Sequence, residues 1–147
     1  MTRLARLSVP WVIAAAAGVA VVVNLVAFAI GRVAGATFEF TSNSELRTVD
    51  AVTVAGFSSA PLALGLAVTA AVARSRIGFV RVARWLAVVL CVVTIAVLTV
   101  PADFDTASTI ALSVCHLTLI PINVVVLAEI ERRPADAAAA TTEAVRS

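Results

Sequence analysis

The chain has 147 residues, of which 61% are hydrophobic and 14% charged, and its mean hydropathy is +1.05. A water-soluble domain of this length has too much surface to hide so apolar a composition, and the same numbers exclude a disordered chain or a nucleic-acid-binding domain. The net charge of +2 arises from eleven arginines against nine acidic residues, with no lysine and no tyrosine, so most of the chain is expected in lipid and its arginines carry the orientation signal.

A helix needs about 20 mainly apolar residues to cross about 30 Å of hydrocarbon. The first such run extends from about Trp11 to Ile30, behind Arg3 and Arg6. Its small residues Ala16, Ala20, Ala27 and Gly31 share one narrow helical face with Asn24. Arg3, Arg6, the apolar run and Ala34-Gly35-Ala36 also imitate a cleavable secretory signal. The run is longer than a signal core and Arg32 stands close to the supposed cut, so an uncleaved span is expected.

Between the first and second spans lies the segment Ala34 to Asp50. The alternation in Phe38-Glu39-Phe40-Thr41-Ser42 predicts one short strand or an interfacial segment. The second span, Ala51 to Ala73, contains no charge, and Ser59, Ala63, Ala67 and Ala71 recur in it every fourth position. Arg74, Arg76, Arg81 and Arg84 follow within eleven positions. They are candidate contacts for anionic lipid headgroups, beside the simpler role of anchoring topology.

The third span covers residues 82–100, with Arg81 and Arg84 snorkelling toward the headgroups. Pro101 ends it, and acidic residues in the turn to Thr106 are placed to cap the next helix. The fourth span covers residues 107–128, and Thr109, Ser113, His116 and Asn123 fall within about 80° of arc on it. Residues 134–147 are alanine-rich without an apolar face, which predicts a disordered cytoplasmic tail or a frayed helix. Cys91 and Cys115 lie inside apolar runs and read as small buried residues, not as a disulfide framework or a zinc site.

Nine of the eleven arginines precede span one, separate spans two and three, or follow span four. The fold expected is therefore an all-α, integral-membrane bundle of four transmembrane helices with both termini cytoplasmic, in a plasma membrane.

Polar groups inside lipid are costly and mark candidate sites. Asn24, Ser113, His116 and Asn123 form the candidate intramembrane polar site. One reading is purely architectural: Asn24 faces the stripe on the fourth helix, and hydrogen bonds fix the register. The other centres on His116, the only histidine, which can bind a headgroup, relay a proton or ligate a metal. Each chemical role lacks a partner, since the spans carry no central carboxylate and no second histidine; only a homodimer would supply another His116. No metal and no cofactor is expected.

The run Thr106-Ala107-Ser108-Thr109-Ile110-Ala111-Leu112, then Cys115-His116-Leu117, Pro121 and Glu131-Arg132-Arg133, together with Asn24, resembles an actinobacterial family of small four-span membrane proteins of unknown function. In that family a Met-His-Leu triplet occupies the fourth helix, and this chain has Cys115 in place of the methionine. The resemblance implies a plasma-membrane protein and no established activity.

With no paired carboxylates and no nucleophile beside a base, an enzyme is not expected. The function expected is a non-enzymatic accessory or scaffolding subunit of an envelope complex. The alternatives are a small oligomeric transporter or channel and a lipid-binding protein. Its partners are then membrane lipids and a larger membrane-protein complex or further copies of itself, not nucleic acid.

Overall fold

In the computed structural model, residues 8–146 are described, with side chains through residue 132. The readings that rest on Arg3, Arg6 and the arginines beyond Arg132 fall outside those side chains. The elements in chain order are helix α1 (Val9–Val33), strands β1 (Glu39–Ser42) and β2 (Glu45–Thr48), and helices α2 (Ala51–Ala73), α3 (Phe79–Thr94) and α4 (Thr106–Arg146). A π-helical turn, Ile95–Thr99, extends α3.

Four of these helical stretches are long and apolar enough to cross a membrane. The shortest, 21 residues from Phe79 to Thr99, reaches about 30 Å at roughly 1.5 Å per residue, which matches the hydrocarbon thickness. The spans read from hydropathy therefore stand within a few residues of the observed helices. α4 runs on to Arg146, through the stretch expected to be a disordered tail or a frayed helix; alanine is the strongest helix former, and a stable preceding helix removes the nucleation cost.

Local chemistry sets the helix ends. Pro10 lies in the first turn of α1, where its missing N–H has no partner to lose. Asp50 caps α2 by accepting the Thr53 backbone N–H at 2.7 Å. Gly35, at φ +93°, turns the chain out of α1 in a conformation that a side chain would disfavour.

α1 packs against α2 and α4, while α3 leans mainly on α4. The buried face of α1 is Val12, Ala16, Ala20, Asn24 and Gly31, close to the small-residue face read from the sequence. On α2 the small-residue stripe is not the buried face. The buried residues include Ser58, Leu62 and Leu66, whereas Ser59 and Ala63 are half-buried and Ala67 and Ala71 exposed. The reason is complementarity: the alanines of α1 leave room for leucines, not for more alanines, and Asn24 takes Ser58 as its partner.

The segment between α1 and α2 is a two-stranded antiparallel hairpin in which Glu39 pairs with Thr48 and Ser42 with Glu45. Asn43 and Ser44, at φ 52° and 64°, supply the two left-handed positions of a type I′ turn. Only β1 was expected; every residue of β2 is exposed, so it has no alternation to read. At the opposite end of the bundle, Arg84 pairs with Glu131 at 2.8 Å and ties α3 to α4.

Candidate functional site

Asn24, at 1% exposed, is among the most buried polar groups of the described residues. It lies nine residues before the end of α1, about 14 Å from the hairpin end at 1.5 Å per residue. Its amide nitrogen donates to Ser58 Oγ of α2 at 2.7 Å and to the Cys115 carbonyl of α4 at 3.1 Å. Its oxygen accepts from the Thr118 hydroxyl. A carbonyl can only accept, so the contact with Cys115 fixes which end of the amide is the nitrogen. Cys115 Sγ is turned toward the Asn24 carbonyl oxygen at 3.7 Å. One side chain thus joins three helices at mid-membrane depth.

Between this knot and the hairpin lies a cavity of about 370 Å3. Its walls come from α2, the π-helical turn and α4, and they are mostly apolar: Val54, Leu98, Leu112 and Leu119 among them. Its polar groups are Asn24, Thr53, Ser58, Thr99 and His116. The π-turn is part of the construction. Val100 N–H reaches back five residues to the Ile95 carbonyl at 2.9 Å, and this wider turn, just ahead of Pro101, buries Thr99 while leaving Leu98 outward. Phe57 and Leu98 line the cavity yet are 74% and 63% exposed, so its side mouth faces lipid. Toward the hairpin end, Phe40 of β1 and Phe104 of the α3–α4 turn also line it, their ring centroids 5.0 Å apart.

The hairpin is fastened over the helix ends. Asp105, just ahead of α4, accepts the Thr37 backbone N–H at 3.0 Å, the Thr37 hydroxyl at 2.8 Å and the Ser108 N–H at 2.9 Å. The Ser108 hydroxyl and N–H, then the Thr37 hydroxyl, hold the Asp105 carboxyl well below the usual carboxylate range. Asp103 accepts the Thr41 N–H at 2.7 Å, and the Thr41 side chain first, then its N–H, hold the Asp103 carboxyl below its usual value. Phe38 is fully buried at φ 57°, a left-handed conformation unusual for an aromatic residue. Its N–H donates to Ser108 Oγ at 2.8 Å and its carbonyl accepts from Val49. Its ring lies 4.4 Å from that of Phe28. A Cβ on Gly31 would come within 2.9 Å of the Phe38 ring and 2.8 Å of Ala111 Cβ, so glycine is what lets this ring in.

Of the four residues proposed from sequence, the structure brings Asn24 and His116 to one cavity. Ser113 is half-buried outside it, and Asn123 donates to its own helix at the Leu119 carbonyl, 3.0 Å away. Of the four loop arginines, Arg74, Arg76 and Arg81 are exposed, whereas Arg84 is engaged by Glu131. Ser58, Thr99 and Thr118 join Asn24 and His116 without standing in the candidate site read from the sequence. Thr118 was detectable as the hydroxyl one turn beyond Cys115; Thr99 was not, because the π-turn sets its direction.

A model of a family of unknown function matches residues 4–133. No curated protein and no solved structure matches the chain.

Proposed function

We infer the role of this chain, which belongs to the family of unknown function DUF6069, from the cavity at the hairpin end. It is a non-enzymatic accessory protein of the plasma membrane, in an actinobacterial envelope as the sequence resemblance implies, and it holds a membrane amphiphile. The single observation that carries this reading is an apolar chamber with a polar floor whose mouth is flanked by the lipid-facing side chains Phe57 and Leu98. A pocket with apolar walls and a few convergent polar groups is the ordinary form of a small-molecule site. Amide, hydroxyl and imidazole groups suit hydrogen bonding to a ligand. The arginine-rich loop facing the cytoplasm puts the hairpin outside, so the amphiphile comes from the outer leaflet. Binding without turnover is also what an accessory subunit contributes to an envelope complex.

Purification from native membranes in mild detergent, followed by mass spectrometry of lipids and proteins, tests the reading. The wild-type chain is expected to retain an amphiphile in fixed ratio, and Leu98→Trp, which fills the mouth from an exposed position, is expected to lose it. A wild-type chain without amphiphile, or a variant that keeps it equally, overturns the reading.

A further inference from the structure

We propose that the cavity selects an amphiphile whose head is an uncharged hydroxyl, received by Ser58 and His116. This rests on the amphiphile-binding reading above and adds the chemistry of the head. Two groups lining the chamber, Ser58 buried and His116 half-buried, have capacity that the protein leaves unused. Ser58 is 4% exposed, and its oxygen accepts from Asn24. Among the described residues its hydroxyl hydrogen has no acceptor, whereas Ser59, Thr69 and Thr94 each return theirs to the preceding turn at 2.7–2.8 Å. Ser58 therefore offers a donor.

His116 offers the complement. Its Nδ1 lies 2.8 Å from the Leu112 carbonyl, and since a carbonyl only accepts, that nitrogen carries the hydrogen. The neutral ring then presents Nε2 as an unprotonated acceptor, with no protein donor to it among the described residues. A donor and an acceptor lining one apolar chamber are matched by a single group that both accepts and donates, which is an alcohol. An ester or ether accepts only and leaves Nε2 unpaired. A phosphate or ammonium head would bring a charge into a chamber lined by no Asp, Glu, Lys or Arg, at a cost that hydroxyls and one neutral imidazole do not offset. The lipid-facing mouth fits a ligand that arrives from within the bilayer.

The test uses the full chain in phosphatidylcholine nanodiscs with three probes of one chain length: oleyl alcohol, methyl oleate and oleyl phosphate. Binding is read as a saturable rise in Tm. Oleyl alcohol is expected to bind about tenfold more tightly than the ester, the size of one buried hydrogen bond lost, and more tightly than the phosphate. His116→Phe is expected to bring the alcohol-to-ester ratio close to one, whereas Ser58→Ala, which removes a donor that both probes accept, is expected to weaken both and leave the ratio near its wild-type value. The wild-type ratio stands as a test even if either variant fails to fold. Equal binding of alcohol and ester, or preference for the phosphate, overturns the hydroxyl assignment and leaves the amphiphile reading intact. No saturable binding of any probe, with no lipid retained on purification, overturns both.

Discussion

Asn24 occupies a depth at which a polar side chain is tolerated only with its partners in place. It spends both amide hydrogens and its oxygen on Ser58, Cys115 and Thr118, whereas Ser59, Thr69, Thr94 and Asn123 each close a bond within their own helix. Ser59 is one of these, donating to the Ala55 carbonyl at 2.8 Å. The two classes predict different mutational costs. Asn24→Leu, similar in size, removes three inter-helix bonds worth about 0.6–2 kcal/mol each, and bonds within one network are not additive. Its expected cost is about 2 kcal/mol in unfolding by denaturing detergent in mixed micelles. Ser59→Ala, measured in the same way, is expected to change stability by under about 0.5 kcal/mol. Equal costs would mean that Asn24 does not join the helices.

The hairpin is the element that ties one end of the molecule together, and carboxylates are its fasteners. Because the Asp105 carboxyl in the folded chain is held below its ordinary value, its contribution to stability is present above the unfolded-state range near pH 4 and is lost as pH falls through the lower, folded value. Hydrogen-exchange protection of the Thr37 amide is therefore expected to hold from neutral pH to about pH 5 and to fall only in stronger acid. Asp105→Asn is expected to lower that protection at neutral pH and abolish its acid step. The Thr41 amide, bound instead to Asp103, keeps its own. A Thr37 acid step that survived in Asp105→Asn would assign the titration to another group.

Hydropathy makes the four spans legible because a bilayer leaves a helix no alternative for its backbone polar groups. The small residues of α1 are legible for a related reason: close approach needs them at every fourth position. The strand Glu45–Thr48 escapes such reading because it is stabilised by its turn and its pairing with β1, not by a buried face. The inner face of α2 is not legible from its small-residue stripe, because such a stripe looks alike whether it meets a neighbouring helix or lipid. The cavity was invisible, since it arises where the π-turn and Pro101 carry the end of α3 past α2 and α4, and no single helix encodes that space.

At the scale of the whole molecule, charge separates the two ends of the bundle. Among the described residues, the hairpin end carries Glu39, Glu45, Asp50, Asp103 and Asp105 with only Arg32 and Arg47, while the opposite end carries Arg74, Arg76, Arg81, Arg84 and Arg132 with Glu129 and Glu131. Arginine accumulates on the cytoplasmic side, and Asp and Glu contribute little to orientation, so the decisive quantity is where the guanidinium groups cluster. On that rule the arginine-rich end, and with four spans both termini, are expected in the cytoplasm. The assignment fixes more than topology, since it decides whether the cavity draws on the outer or the inner leaflet. Thr48→Cys on the exposed face of β2 and Gly78→Cys, where a Cβ meets nothing within 4 Å, place single thiols at opposite ends. Cys91 and Cys115 are buried and are expected to stay silent. A membrane-impermeant maleimide added to intact cells is expected to label Thr48→Cys at once and Gly78→Cys only after the membrane is opened. The reverse pattern would invert the bundle and make the cavity a site for lipids of the cytoplasmic leaflet.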